Sequence, residues 1–273
     1  MLKKNKKFKA ACIQMNSQDN LDDNISFALR KVIQASKKGA KLILLPENCF
    51  LMAKNNKQIL DSACEEKNHL GIEEVKKITK KFKVWVVIGS VNIKEKNNIF
   101  NRSVLINDKG KIVSRYNKIH LFSVKLPNKE IYNENKYFVP GKRISLSTLP
   151  WGKVGMTICY DLRFPNLYRK LAQKGAYFIS IPAAFTKFTG ELHWHTLLKA
   201  RAIETGCYIF APAQCGKNPR NKFTYGHSLI IDPWGKIIKE CKKNNSIIIA
   251  DVDPNKVNQA RSTIPSLKLE RFF

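Results

Sequence analysis

The order of apolar and polar residues predicts strands and helices in alternation along most of the chain. Apolar residues at helical spacing begin at Leu21, and Gly39 ends that predicted helix. Uninterrupted apolar runs such as Leu42-Ile43-Leu44-Leu45 predict strands that are buried on both faces. Further strands are predicted at 8–15, 84–89, 153–158, 177–181 and 207–213, and further helices at about 72–82, 165–174 and 191–206.

The remaining segments are richer in strands, which are predicted at 99–106, 111–116, 225–231, 236–240 and 246–252. The first two form a predicted hairpin around Asp108-Lys109-Gly110. A short helix is expected after Asp253-Pro254. Residues 117–143 show no period, and an irregular insert of that length usually carries function. No linker or repeat divides the chain, so we expect one α/β domain, residues 1–273, with both sheet faces covered.

The chain is strongly basic, with a formal charge of +28 over 273 residues. Such a surface could neutralise phosphates, so a non-enzymatic scaffold for acidic partners or nucleic acid is one alternative. The lysines, however, are spread along the whole chain. We therefore expect a solvated lysine-rich surface and no nucleic-acid partner. The apolar content of 44% is enough to bury a sizeable core.

Cysteine usage and hydropathy indicate a cytoplasmic location. Seven cysteines, without a Cys-x-x-Cys pair or a zinc spacing, are typical of free thiols in a reducing compartment. No long uncharged apolar segment follows the basic start, and no run of about eighteen apolar residues predicts a membrane span. The chain has no glycine-rich dinucleotide motif and no phosphate-binding loop. We expect no cofactor and no bound metal.

Cys159 is the first candidate for a catalytic residue. It closes the apolar run 154–158 and precedes helix-start signals, with Asp161 as a possible cap and Pro165 in the first turn. Backbone N–H groups and the positive end of a helix dipole converge at such a junction. We expect that field to favour a thiolate and to hold a developing oxyanion. A buried structural cysteine is the alternative interpretation.

Three further polar residues fit the needs of a cysteine nucleophile. Glu47 follows a buried strand and a proline, where a partly desolvated carboxylate is suited to proton shuttling, although a surface or capping role is equally compatible with its position. Lys118 would favour a thiolate and offset charge on a tetrahedral intermediate. Considered without the other candidates, it is better interpreted as a solvated surface lysine. Glu134 could hold the ammonium group of Lys118 protonated and in place.

Histidine offers a different base for Cys159. His227 is the most plausible partner in a Cys–His pair of the kind that cysteine proteases use, with packing or hydrogen bonding as its alternative role. His193 and His195 flank Trp194 on a predicted helix. Residues two apart on a helix do not share a face, so a metal site built from these two is not expected.

The surroundings of Glu47, Lys118 and Cys159 resemble the nitrilase superfamily, the carbon–nitrogen hydrolases. The resemblance runs over nearly the whole length, from Lys9 to Phe272. Its landmarks are Leu45-Pro46-Glu47-Asn48, Asn117-Lys118-Ile119-His120-Leu121-Phe122 and Gly155-Met156-Thr157-Ile158-Cys159-Tyr160-Asp161-Leu162-Arg163-Phe164-Pro165. Further segments resemble the branch of amidases that act on deaminated glutathione and the related ω-amidases. They are 182–186, 189–190, 199–205, 213–216, 225–228 and 232–235.

The resemblance, rather than the periodicity, implies a four-layer αββα sandwich and a homodimer. It also implies that Cys159 is the nucleophile, Glu47 the general base and Lys118 the oxyanion-stabilising proton donor. Glu134 matches the second glutamate of the family. Tyr160 would add its backbone N–H to the oxyanion site.

Substrate-binding residues follow from the same resemblance. Arg163 and Thr189 are candidates for holding a substrate carboxylate, because a guanidinium group matches a carboxylate in a two-point fork. Phe185 would be a wall of the pocket. The chain departs from the family at His195, where many members have glutamate, and at Ser123, where an acidic residue is frequent.

The expected activity is hydrolysis of a small carboxylate-bearing amide to a carboxylate and ammonia, through a thioester on Cys159. The substrate class would be deaminated glutathione or the ω-amide of a 2-oxo acid. Hydrolysis of N-carbamoyl amino acids needs the same three groups and is the alternative within this class. A non-enzymatic basic binding protein is the alternative outside it.

Overall fold

The computed structural model describes residues 6–242 and 244–271; residues 1–5, 243 and 272–273, which include the ends of the predicted domain and Phe272, lie outside the described part. The helices are α1 Leu21–Lys37, α2 Asn56–Ser62, α3 Leu70–Phe82, α4 Pro165–Gln173, α5 Lys187–Thr189, α6 His195–Thr205 and α7 Asn255–Thr263. The strands are β1 Phe8–Gln14, β2 Leu42–Leu44, β3 Trp85–Glu95, β4 Asn98–Ile106, β5 Ile112–Asn117, β6 Ser123–Lys125, β7 Ile131–Asn133, β8 Ser145–Leu149, β9 Gly152–Met156, β10 Ala176–Ser180, β11 Tyr208–Ala211, β12 Cys215–Lys217, β13 Phe223–Tyr225, β14 Leu229–Ile231, β15 Ile237–Glu240 and β16 Ser246–Val252. None of the helices in the described residues has the length and apolar character needed to cross a bilayer.

Two six-stranded sheets dominate the fold. The first has the order β16-β1-β2-β3-β4-β5 and the second the order β15-β14-β11-β10-β9-β8. In the first sheet β1, β2 and β3 are parallel, and the hairpins β3–β4 and β4–β5 are antiparallel. It follows that β5 runs in the same direction as β2, so the carboxyl ends of both strands lie at one edge of the sheet.

The four layers arise because each central strand is apolar on both faces. Along β1, Ala10 and Cys12 face the core between the sheets, whereas Ala11 and Ile13 face the helices on the outer side. The core between the sheets joins strands of the first sheet to residues of the second such as Phe178. Helices α1 and α3 cover the outer face of the first sheet, and α4 and α6 cover that of the second. The predicted αββα sandwich is confirmed.

The observed elements differ from the predicted ones at a few places. The irregular insert 117–143 contains the small sheet of β6 and β7 and a 3₁₀ turn, Glu134–Lys136. The predicted strand 225–231 is split, because Gly226 and His227 both have positive φ, at 77° and 53°. The predicted helix 191–206 begins as a π-helical turn, Gly190–Trp194. Neither β8 nor α2 was predicted, since both are short and lack a clear apolar period.

Candidate active site

Glu47 lies just beyond the carboxyl end of β2 and is almost inaccessible to water, at 2% exposure. Its Oε1 accepts hydrogen bonds from Lys118 Nζ at 2.8 Å and from Asn101 Nδ2 at 2.9 Å. Its Oε2 accepts the backbone N–H of Ala184 at 2.9 Å. Three donors from three different segments therefore fix the orientation of this carboxylate.

Lys118 lies one residue beyond β5 and carries the central positive charge of the site. Its Nζ binds Glu134 as well as Glu47, at 3.1 Å from Oε1 and 2.9 Å from Oε2 of Glu134. Glu134 Oε2 in turn accepts the backbone N–H of Phe122 at 2.7 Å. The structure brings Glu47 and Lys118 together because β2 and β5 end at the same edge of the first sheet.

Cys159 comes from the second sheet, where it follows β9 and opens a 3₁₀ turn, Cys159–Arg163. Its φ is 46°, in the left-handed region that costs a side-chain-bearing residue conformational energy. Its N–H donates to the Pro182 carbonyl at 2.9 Å, which holds the strained residue in place. The N–H of Tyr160 lies in the first turn, so the turn itself supplies no acceptor for it.

The charged groups of the site shift the pKa values of their neighbours. Burial alone would lower the pKa of Lys118, but the carboxylates of Glu134 and Glu47 outweigh burial and raise it well above its usual value. Burial raises the pKa of Glu134, and the Lys118 ammonium opposes that shift. Burial also raises the pKa of the Cys159 thiol well above its usual value; Glu47 adds to this increase and Lys118 reduces it. The resting site therefore holds a cationic lysine beside a neutral thiol.

The expectation that the strand–helix junction favours a thiolate is wrong for this resting site. The segment after Cys159 is a 3₁₀ turn, and α4 begins only at Pro165. Asp161 does not cap α4; its carboxylate accepts the Ile158 N–H at 2.8 Å within the turn. Burial and the neighbouring Glu47 carboxylate dominate the pKa of the thiol, so deprotonation must accompany the reaction.

One cavity is lined by all eight residues that the resemblance to the nitrilase superfamily assigned to the site, namely Glu47, Lys118, Glu134, Cys159, Tyr160, Arg163, Phe185 and Thr189. The guanidinium carbon of Arg163 lies 5.3 Å from the ring centroid of Phe185, and both terminal nitrogens of Arg163 lie 3.3 Å from His193 Nδ1. Thr189 Oγ1 is hydrogen-bonded to Thr186 Oγ1 at 2.7 Å. The predicted carboxylate-binding groups therefore border the same space as the thiol.

Two further cationic residues, Arg220 and Lys222, line the cavity, and the sequence did not single out either of them. Arg220 Nε donates to the Ala53 carbonyl at 2.9 Å, and Lys222 Nζ donates to the Ile131 carbonyl at 3.2 Å. Burial lowers the pKa of Lys222, with Arg220 adding to the decrease. Both residues belong to the turn between β12 and β13. In a lysine-rich chain, two basic residues in a turn give no signal that distinguishes them from a solvated surface.

The histidines lie elsewhere in the described structure. None of them lines the cavity, and His227 Nδ1 instead lies 2.6 Å from Glu240 Oε1. His195 Nε2 contacts the same carboxylate oxygen at 3.0 Å, so the departure from the family at His195 is outside the cavity. The structure therefore does not support His227 as the base for Cys159.

Comparisons with known proteins identify the family of the chain. A family model described as carbon-nitrogen hydrolase matches residues 9–262. The chain is 36% identical over 268 residues to a deaminated glutathione amidase from Synechocystis sp., covering 96% of this chain and 98% of that protein. Its fold is similar to the C. elegans NitFhit protein, with a TM-score of 0.91 and 31% identity over 98% of this chain and 66% of that chain. It is also similar to Saccharomyces cerevisiae Nit3, described as a member of branch 10 of the nitrilase superfamily, with a TM-score of 0.87 and 30% identity over 97% of each chain. The chain belongs to the carbon–nitrogen hydrolase family of the nitrilase superfamily.

Proposed function

We propose that the protein hydrolyses a small carboxylate-bearing amide through a thioester on Cys159. The observation that carries this proposal is that one thiol, two carboxylates and one ammonium group surround a single cavity. Burying charges is costly, and strongly shifted pKa values in a cleft are typical of catalytic groups. The relative from Synechocystis is named for deaminated glutathione, and we infer that this class of amide is also the substrate here.

In the proposed reaction, Glu47 takes the thiol proton as the Cys159 sulfur attacks the amide carbon. Lys118 Nζ and the Tyr160 N–H would hold the oxyanion, and one such donor typically contributes about 100- to 1,000-fold in rate. Protonated Glu47 then passes its proton to the departing nitrogen, which leaves as ammonia or an amine. Glu47 next activates a water that hydrolyses the thioester and regenerates the thiol. Glu134 keeps Lys118 protonated and in position.

The charge of the cavity favours an anionic substrate. Lys118 is bound to Glu47 and Glu134, the two acidic residues that line the cavity within the described part. Arg163, Arg220 and Lys222 also line it and form no ion pair with described residues. These three side chains leave the space positive, which suits a substrate with one or two carboxylates.

We also propose that the protein is a cytoplasmic homodimer with one domain per chain. All seven cysteines lie in the described residues and are free thiols, as a reducing compartment would keep them. The two sheets share one core, which supports a single domain. Ile203 and Trp234 are large apolar residues with 58% and 45% exposure, and Gly235 next to Trp234 packs closely against Ile203. Such a patch is typical of an interface between subunits.

Replacing Cys159 by alanine is expected to abolish amide hydrolysis, because the sulfur forms the covalent intermediate. The release of amine or ammonia from deaminated glutathione and α-ketoglutaramate would be measured, with an N-carbamoyl amino acid as a third substrate. Cys64→Ala, which removes a half-buried thiol outside the cavity, is the control and should keep full activity. A Cys159→Ala variant that retains the wild-type rate would refute the mechanism.

Lys222→Met is expected to discriminate between substrates with one and two carboxylates. Methionine keeps a long apolar side chain but removes the ammonium group, whose Nζ lies 3.7 Å from the Tyr132 ring centroid. Deaminated glutathione has a second carboxylate on its leaving amine, whereas α-ketoglutaramate does not. We expect kcat/KM to fall about 10- to 100-fold for the former and to change little for the latter. Lys217→Met, on the same hairpin but outside the cavity, is the control; equal losses on both substrates would contradict this role.

The apolar patch gives a separate test of the oligomeric state. Light scattering is expected to report the mass of two chains for the wild-type protein. Trp234→Asp places a charge in the patch and should shift the protein to the mass of one chain. A wild-type protein that is monomeric at micromolar concentration would exclude the proposed dimer.

A further inference from the structure

Two histidines and one glutamate meet on the outside of the catalytic cavity. His195 is the first residue of α6, His227 follows β13, and Glu240 is the last residue of β15. His195 Nε2 and His227 Nδ1 lie 3.0 Å and 2.6 Å from the same Glu240 oxygen, Oε1. One nitrogen from each imidazole and one carboxylate oxygen all lie within 4.8 Å of one another.

These atoms are already close to the positions that a metal ion requires. Zinc binds histidine nitrogen and carboxylate oxygen at about 2.0–2.2 Å, so tetrahedral ligands lie roughly 3.3 Å apart. The nitrogen–oxygen distances of 3.0 Å and 2.6 Å would increase by roughly 0.3 Å and roughly 0.7 Å. The side chains are 31%, 17% and 33% exposed, which leaves access for an ion and for a water in the fourth position.

The backbone around the cluster is held firmly. The His227 carbonyl accepts a hydrogen bond from Trp194 Nε1 at 2.8 Å, and its ring stacks on Tyr225 with a centroid separation of 4.3 Å. Glu240 pairs with Leu229 in the β14–β15 ladder. Because the three residues come from a helix, a loop and a strand that pack together, little conformational freedom remains to be lost when an ion binds.

The ligand chemistry of the cluster also fits a divalent cation. Two imidazoles with one carboxylate form a ligand set that is well suited to Zn²⁺.

We propose that His195, His227 and Glu240 form a binding site for a divalent transition-metal ion, with Zn²⁺ as the best match. The role of the ion is structural. His227 follows β13, whose Phe223 and Thr224 line the catalytic cavity, so a bound ion would fasten this wall to α6 and β15. The proposal is independent of the proposed amidase reaction, because none of the three ligands contacts the cavity.

Calorimetry with Zn²⁺ and absorption spectroscopy with Co²⁺ test this site on the full chain after chelator treatment. We expect one ion per chain and a Co²⁺ spectrum of nitrogen and oxygen ligation without thiolate charge-transfer bands. His195→Gln preserves a hydrogen-bond donor to Glu240 but removes the imidazole. It should weaken binding at least about 10-fold, since even the loss of a group that supports a metal ligand costs that much.

The matched control is His193→Gln, which removes the neighbouring histidine that contacts Arg163 instead. Its affinity for Zn²⁺ should equal that of the wild type. Circular dichroism of each variant without metal would show that the fold is retained. Three outcomes would overturn the proposal: no binding by the wild type, equal binding by His195→Gln, or a Co²⁺ spectrum dominated by thiolate ligation.

Discussion

The candidate site depends on one ammonium group and two carboxyl groups that lie around an uncharged thiol. Lys118 contacts both Glu47 and Glu134, and these two groups raise the pKa of Lys118 well above its usual value. Removing one member of a buried ion pair typically costs about 3–5 kcal/mol, because the remaining charge is left unpaired. A buried cluster of this kind typically adds little to stability compared with an apolar core. Its presence is therefore better explained by a catalytic role than by a role in folding.

The four-layer sandwich explains how distant segments supply this cluster. β2 and β5 run in the same direction and end at one edge of the first sheet, which places Glu47 and Lys118 side by side. Cys159 follows β9 of the second sheet and lines the same cavity. The backbone N–H of Ala184, just beyond β10, binds Glu47 and so links the second sheet to the carboxylate of the first. The site therefore exists only when both sheets are packed together.

The sequence could predict the central strands and the residues that follow them, because apolar runs and their ends have a clear pattern. Leu42–Leu44 and Gly152–Met156 are examples, and each leads to a residue at the cavity. The pattern could not reveal β8, whose serine and threonine residues mask its alternation. Nor could it reveal the charge state of Cys159, since burial and the Glu47 carboxylate act through space rather than along the chain.

Arg220 and Lys222 are further residues whose role the sequence pattern could not indicate. The turn that contains them borders the cavity only in the folded chain. The cluster of His195, His227 and Glu240 is another case. Helical spacing argued against a site built from His193 and His195, but it could not show that Glu240 of β15 lies beside His195 and His227. Long-range packing, which the sequence pattern does not contain, determines both features.

The most direct test of the account is the pH dependence of Cys159 alkylation by iodoacetamide, followed by mass spectrometry of the peptide that contains Cys159. We predict that the wild-type thiol reacts with a midpoint above that of an ordinary cysteine, because burial and Glu47 raise its pKa. Glu47→Gln should move the midpoint to lower pH while abolishing hydrolysis. Glu74→Gln, which changes a carboxylate on α3 that pairs with Lys77 outside the cavity, should leave both unchanged. An unchanged or higher midpoint in Glu47→Gln would contradict the proposed coupling between this carboxylate and the thiol.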